Sequence, residues 1–228
     1  MKIVSLVFPG FTLIDLAAPM QALSTVPGAE LQYVWKERGL VPSDAGISVE
    51  ATHSFDDAAE DADILFVPGN TNALFRLLHD RATAEFLADR GARAGWVTSV
   101  CNGSLLLGVA GLLWGYEAAS YWYSRDLLAN YGAIPKAGRI VIDRNRATGG
   151  GMTAGVDFGI ALLGVLAGQE VGRITELLFE YAPEPPFGTG RPELADPDTL
   201  ARATEIVKGL MPLASAPTEP LVAAGVSR

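Results

Sequence analysis

The stretch that decides the fold is Trp96-Val-Thr-Ser-Val-Cys101-Asn-Gly-Ser-Leu-Leu-Leu-Gly-Val. Its first five residues predict a buried strand over 96–100, and the apolar run over 105–113 predicts a helix. Between them, Ser99-Val-Cys101-Asn-Gly103 has the spacing small–x–nucleophile–x–Gly of a nucleophile elbow. We therefore expect Cys101 on a sharp strand-to-helix turn, with its side chain above the edge of a sheet.

Strand-like and helix-like segments alternate on both sides of this turn. The expected strands lie at residues 3–8, 31–35, 47–51 and 63–67, with a late hairpin over 140–148. The expected helices lie at residues 13–23 (kinked or divided at Pro19), 74–78, 83–90, 153–166, 171–181 and 198–210. This alternation predicts an α/β fold with a doubly wound, mostly parallel sheet sandwiched by helices. Sites in such sheets lie at the carboxyl ends of the strands.

The composition is that of an acidic globular domain. The 228 residues are 49% hydrophobic, enough for a sizeable core, and the net charge of -9 without a Lys/Arg run argues against a nucleic-acid surface. The apolar N-terminal run is too short for a membrane span, and a single Cys forms no internal disulfide, so we expect a cytoplasmic protein that does not bind membranes. We place one catalytic domain at 1–195, and a C-terminal helix with a frayed tail from about Ala214 at 196–228.

Cys101 has two interpretations. A lone Cys is often simply a buried structural residue. The strand–turn–helix context favours a reactive nucleophile, because the helix N-terminus adds positive potential that favours the thiolate and nearby backbone N–H groups can hold negative charge. We therefore expect Cys101 to be the nucleophile of an enzyme site.

Asp15 is the best candidate for the proton partner that such a nucleophile needs. It stands among apolar residues in Leu13-Ile-Asp-Leu16, at the start of an expected helix. The alternative is an ordinary N-cap or first-turn Asp. His53 and His79 are expected in solvated positions and lack metal-ligand spacing, so we expect no metal site. If Asp15 is buried beside a thiolate, burial and like charge should raise its pKa.

Two loops that contain glycine are candidates to approach the site. Pro68-Gly-Asn-Thr71 ends an expected core strand, where it can supply backbone donors to an anion or simply form a turn and N-cap. Gly149-Gly-Gly151 lacks both the Lys-Ser/Thr of a P-loop and the spacing of a dinucleotide fingerprint. We therefore interpret it as a close approach of the backbone to the site.

Several motifs, in matching order over about residues 2 to 190, resemble one protein family. Those similar to the ThiJ/PfpI superfamily are Val67-Pro-Gly69, Ser99-Val-Cys101-Asn-Gly-Ser104 and Ala110-Gly-Leu-Leu113, with Asp15 as its acidic residue. Those similar to the isocyanide hydratases within it are Val34-Trp-Lys-Glu37, Tyr131-Gly-Ala-Ile-Pro135, Thr148-Gly-Gly-Gly151 and Glu180-Tyr-Ala-Pro183. The resemblance implies a flavodoxin-like or class I glutamine amidotransferase-like sheet, a homodimer and a small-molecule substrate.

The resemblance also implies a reaction, the hydration of an isocyanide to an N-formamide through a thioimidate on Cys101. Asp15 would be the acid/base and water-positioning group, and no metal or organic cofactor would be required. The backbone N–H groups implied to line the anion site are those of Gly69, Asn70 and Asn102. Met152, after the triple glycine, would approach the sulfur.

Two residues depart from the family pattern. Asn102 follows the Cys where members usually carry Thr, and Tyr121 stands before Trp122 where many carry His. Asn102 keeps a hydrogen-bonding role, but Tyr121 cannot act as a base near neutral pH, which weakens glyoxalase-like or protease-like interpretations. We expect Tyr121 and Trp122 in the substrate pocket. The other aromatic candidates for its wall are Phe75, Tyr181 and Phe187.

Three other functions stay open at this point. Cys101 could attack a different small electrophile or a biosynthetic intermediate on the same scaffold, since a fold does not determine a substrate. A reactive Cys is also typical of a redox sensor or chaperone-like protein, because an exposed thiolate oxidises readily. The ligand-sensing half of a transcription regulator is disfavoured, since no basic helix-turn-helix module is evident.

Overall fold

The central sheet forms from the apolar runs that the sequence predicts as strands. The computed structural model describes residues 1–70 and 72–223. The strands are β1 Lys2–Leu6, β2 Glu30–Val34, β3 Gly39–Pro42, β4 Ser48–Ala51, β5 Ile64–Val67, β6 Trp96–Ser99, β7 Glu117–Ala118, β8 Ile134–Pro135, β9 Ile140–Asp143 and β10 Arg146–Gly149. Six of them form one sheet in the order β2-β1-β5-β6-β10-β9, parallel except for the β9–β10 hairpin. The predicted mostly parallel sheet and late hairpin are confirmed.

Helices flank this sheet. They are α1 Leu13–Leu23, α2 Ala73–Leu77, α3 Arg81–Arg93, α4 Gly103–Val109, α5 Ala154–Leu166, α6 Gln169–Leu178 and α7 Pro197–Leu210, with 3-10 turns at Arg125–Tyr131 and Leu213–Ser215. α1 packs on α5, α5 on α6, and α3 on α4. Strand β5 is buried along its whole length, as expected for an inner strand of a parallel sheet covered by helices.

Pro19 does not divide the first helix. α1 runs unbroken through it, although the proline removes one backbone donor. The close packing of α1 against α5 holds the helix together across this position. Asp15 therefore lies in the first turn of an intact helix, α1, and Cys101 lies in the turn that leads into α4.

The C-terminal segment is attached to the domain as far as Val222, beyond Ala214, where the sequence predicts that fraying begins. Backbone N–H groups of Leu221 and Val222 both donate to the carbonyl of Val109, at 2.8 and 3.1 Å. Leu221 also packs against the hydrophobic core. The helix itself ends at Val109 instead of reaching residue 113, because Gly111 adopts a left-handed φ of +73° and the Leu112 N–H donates back to the Leu107 carbonyl at 3.0 Å. Residues 224–228 of the expected tail lie outside the described residues.

No helix in the described part of the chain is long and apolar enough to cross a membrane.

Candidate active site

Cys101 lies on the predicted sharp turn between β6 and α4. Its φ of +55° is in the left-handed region, which a side chain adopts only where the surroundings hold it. The surroundings here are three hydrogen bonds: its N–H donates to the Gly150 carbonyl at 2.9 Å, and its own carbonyl accepts from Ser104 Oγ and Ser120 Oγ, each at 3.3 Å. The elbow is thus fixed from the triple-glycine loop on one side and from α4 on the other.

The start of α1 places Asp15 beneath this turn. The carboxylate of Asp44, from the loop between β3 and β4, accepts from Thr12 Oγ1 at 2.7 Å and from the Leu13 N–H at 3.1 Å. Asp44 therefore caps α1 from a distant part of the chain. Asp15 lies in the first turn of α1, as one alternative held, but its side chain points into the protein and is fully buried.

The two carboxylate oxygens of Asp15 differ in their hydrogen bonding. Oδ2 accepts from the Gly69 N–H at 3.2 Å. Oδ1 is buried and has no hydrogen-bond partner among the residues that the structure describes. A buried carboxyl group with an unpaired oxygen is costly, and such groups are concentrated at sites where a reaction partner supplies the missing contact.

Asp15 and Cys101 shift each other's ionisation. Burial raises the pKa of Asp15 from 3.8 to about 7, although the nearby Cys101 thiol and the N–H groups of Gly69 and Met152 act in the opposite direction. Burial and the Asp15 charge likewise raise the pKa of Cys101 well above its usual 9. Because the two groups cannot both ionise cheaply, the pair holds a proton at neutral pH.

The sequence predicts a raised pKa for Asp15 and a preformed thiolate at Cys101. The raised pKa of Asp15 agrees with what its burial beside the Cys implies. The preformed thiolate expected from the helix N-terminus does not arise, because α4 is only seven residues long and Cys101 is 3% exposed. Desolvation of the sulfur outweighs the small positive potential of the helix.

Asn102 joins the two loops that carry the site. Its Oδ1 accepts from the Asn70 N–H at 2.9 Å and its Nδ2 donates to the Asn70 carbonyl at 2.6 Å, so one side chain pairs with both polar groups of that residue. The N–H groups of Gly69 and Asn70, expected to line an anion site, are therefore engaged with Asp15 and Asn102. They position the Asp15 and Asn102 side chains. Thr71, the last residue of that expected loop, lies outside the described residues.

The sulfur has its own backbone donors. Hydrogen bonds from the N–H groups of Asn102 and Met152 lower the pKa of Cys101 against the effect of burial. Met152 reaches this position with a φ of +45°, at the turn that leads from the triple glycine into α5. Of the three expected N–H donors, Asn102 acts on the sulfur, and so does the N–H of Met152, the residue expected to approach the sulfur.

A cavity of about 560 Å³ opens beside the elbow, and its wall includes Gly150 and Ser120, which hydrogen-bond to the Cys101 backbone. Tyr121 and Trp122 line it with Met152, as the sequence predicts. Tyr121 lies against Gly151, where a Cβ atom would come within 2.4 Å of its Cδ2, so the third glycine is required there. Burial raises the pKa of the Tyr121 phenol, and the proximity of the Cys101 charge raises it further.

The other expected wall residues are not in this cavity. Phe75 is buried in the core, Phe187 is 86% exposed, and Tyr181 donates to Asp157 at 2.9 Å outside the cavity wall. Instead, the wall includes three arginines and the segment 190–194, which the sequence marks only as rich in Pro and Gly. Within the described residues, no group of three or more His, Cys, Asp or Glu side chains is placed to hold a metal ion.

Comparison with known proteins agrees with this geometry. The chain is 41% identical over 190 residues to an isonitrile hydratase of Pseudomonas putida, across 83% of this chain and 82% of that protein. It is 31% identical to the HTH-type transcriptional regulator GbdR of Pseudomonas aeruginosa, across 77% of this chain but 49% of the regulator.

Solved structures are also similar to this chain, in fold as well as in sequence. The crystal structure of a ThiJ/PfpI family protein from Pseudomonas syringae has a TM-score of 0.91 at 43% identity, covering 94% of this chain and 89% of that one. Toxoplasma gondii DJ-1, with a TM-score of 0.70 at 22% identity, shares the fold. The DJ-1/PfpI family profile matches residues 1–164. With its elbow cysteine, buried acidic partner and flavodoxin-like sheet, this chain belongs to the DJ-1/PfpI family.

Proposed function

We propose that this protein is an isocyanide hydratase, which converts an isocyanide (isonitrile) and water to an N-formamide. The observation that carries the proposal is the burial of Asp15 beside the elbow cysteine, Cys101, with one carboxylate oxygen left unpaired. The homologous isonitrile hydratase gives the reaction class. We keep Cys101 as the nucleophile and Asp15 as the proton carrier.

The first step joins the sulfur to the terminal carbon of the isocyanide. The thiol proton passes to the Asp15 carboxylate as the sulfur electron pair forms the S–C bond, and one C–N π pair moves onto nitrogen. The lone pair of the same carbon then takes the proton from Asp15, which gives a thioimidate, S–CH=N–R. A general base is needed here because the pKa of the Cys101 thiol is raised well above its usual value.

The second step adds water and releases the product. Asp15, again ionised, takes a proton from water while the water oxygen bonds to the C=N carbon and the C=N π pair moves onto nitrogen. Asp15 then passes that proton to the nitrogen, which returns the carboxylate to its ionised form. Cleavage of the S–C bond then gives R–NH–CHO, and the remaining water proton restores the thiol. The N–H groups of Asn102 and Met152 stabilise the charge on the departing sulfur.

The proposal includes the working state of the enzyme, a cytoplasmic homodimer without a metal or organic cofactor. The exposed apolar side chains of α6 support an association surface, because Ile174, Leu177 and Leu178 are all more than half exposed. The reaction itself uses only proton transfers and attack by sulfur, which the described residues supply.

The test is formamide production from an alkyl isocyanide by EDTA-dialysed protein, with its size determined by light scattering. Wild-type protein should produce formamide, and Cys101→Ala and Asp15→Asn should each lose at least about 1,000-fold in kcat. Asp61→Asn, an exposed acid far from the helix starts, is the matched control and should keep full activity. Residual turnover by Cys101→Ala would exclude the nucleophile role. No turnover by wild-type protein with a reduced thiol would instead favour another electrophile on this scaffold.

A further inference from the structure

The cavity beside Cys101 is positively charged, although the chain as a whole is acidic. Arg125, Arg139 and Arg191 line it with a single carboxylate, Glu193, while the net charge of the chain is -9. The side chain of Arg125 is 28% exposed and Arg191 is exposed, so both guanidinium groups stay within reach of water and of a ligand in the cavity.

Arg139 already has a partner. Its Nε donates to Asp157 Oδ2 at 2.9 Å, and the Tyr181 hydroxyl donates to the same oxygen. The Arg139 carbonyl also accepts from the Gly150 N–H at 2.8 Å, so this residue supports the loop that holds the elbow. Its charge is balanced within the protein and leaves no demand for an external anion.

Arg125 and Arg191 are not balanced in this way. The acid nearest to Arg125 is Asp126 at 3.8 Å, and that side chain is 95% exposed, so water screens the pair strongly. Arg191 forms no ion pair with any acid in residues 1–70 and 72–223. Glu193 offsets one of the two positive charges. Among the residues that line the cavity, the two guanidinium groups without a buried acidic partner therefore outnumber the one carboxylate, which suits a monoanion better than a dianion.

The charged wall lies next to the elbow that carries the nucleophile. Two residues of the wall hydrogen-bond to the Cys101 backbone: the Gly150 carbonyl accepts from its N–H at 2.9 Å, and Ser120 Oγ donates to its carbonyl at 3.3 Å. About 560 Å³ is far more space than an isocyano group needs, so the cavity is shaped for the remainder of a substrate. Trp122 and Leu194 give that remainder an apolar surface on the way to the arginines.

We infer that the substrate of the proposed hydratase is an isocyanide that carries a carboxylate, with the isocyano carbon at Cys101 and the carboxylate bound by Arg125 and Arg191. This inference rests on the proposed function, since it names the class of isocyanide. Guanidinium groups match a carboxylate in shape and charge, and their paired N–H donors give it orientation as well as affinity.

The test compares two substrates that differ only in charge, a carboxyalkyl isocyanide and its methyl ester, by formamide production at one pH and ionic strength. Wild-type protein should favour the carboxylate about 10- to 100-fold in kcat/KM, the range expected for charge-assisted hydrogen bonds. Arg125→Gln and Arg191→Gln should each reduce this ratio about 10-fold, mainly through KM. Arg202→Gln, on the exposed side of α7, is the matched control and should keep the ratio.

The outcomes separate the two proposals. Equal kcat/KM for acid and ester would overturn the inference and leave the hydratase intact. Turnover of neither would overturn the hydratase itself. A preference that survives in both Arg125→Gln and Arg191→Gln would overturn the assignment of the carboxylate to these residues.

Discussion

Asp15 sets the pH response of the proposed reaction. Because the pKa of Asp15 is about 7, the carboxylate that accepts the thiol proton becomes the major form only as the pH rises above about 7. We expect kcat/KM to rise with pH through a midpoint near 7, measured from pH 5 to 9 with an isocyanide whose other groups do not titrate in that range. A midpoint near 4, the value of an ordinary aspartate, would contradict the role of the buried carboxyl group.

The same residue also makes stability depend on pH. Its pKa is 3.8 in the reference state and about 7 when folded, so the folded protein holds the proton more tightly. The stabilisation is fully present below pH 4 and is lost as pH rises through 7. The Asp15→Asn side chain does not ionise, so the variant does not lose this stabilisation as the pH rises. It should therefore have a larger free energy of unfolding than wild type above pH 7, by at most about 4 kcal/mol. Urea unfolding of both proteins at pH 4, 5.5, 7 and 8 measures the difference. Parallel pH dependence in the two would refute the shift.

At the scale of the elements, the elbow depends on the glycine that begins α4. A Cβ atom on Gly103 would lie 2.4 Å from the Val67 carbonyl oxygen and 2.6 Å from that of Pro68, and backbone atoms of an inner strand cannot move away cheaply. Gly103→Ala should therefore cost about 2 kcal/mol or more and displace Cys101, with loss of activity. Gly209→Ala, in α7 with open space around it, should be neutral or gain up to about 1 kcal/mol. Denaturant midpoints and kcat report both effects, and similar results for the two variants would count against the steric argument.

The elements show which parts of the site a sequence can predict. The strand, turn and helix around Cys101 were predictable because their signals are local: hydrophobic period, small neighbours and a glycine. The role of Asn102 was not, because its side chain pairs with the Asn70 backbone from a different loop. Asp44 is a similar case, since it caps α1 from beside a strand, β3, that the sequence did not indicate. Such contacts arise only when separate segments meet in the fold.

The cavity wall was missed for the same reason. Residues 190–194 have the composition of an irregular connector, and no local period in them points to a substrate. Their part in the cavity depends on where the chain returns between α6 and α7. Arg191 therefore gained a functional interpretation only from the structure.

At the scale of the whole molecule, charge separates the cavity from its surroundings. The net negative charge of the chain repels anions in general, whereas the arginines of the cavity attract anions that reach it. The protein should therefore favour anionic substrates that are small enough to enter the cavity. Association of an anionic substrate should then change with ionic strength differently from that of a neutral one. The comparison of acid and ester described above, repeated at low and high salt, separates the two contributions.

The single cysteine of the chain has a practical consequence. A thiol-specific reagent can modify only the residue proposed to perform the chemistry, so the stoichiometry of its reaction counts the protein molecules that carry a free Cys101 thiol. The rate of the modification is informative as well, because it depends on how often the buried sulfur is both ionised and within reach of the reagent. A thiol-labelling time course followed at several pH values would thus separate the ionisation of Cys101 from the opening of the surrounding loops, without any engineered probe.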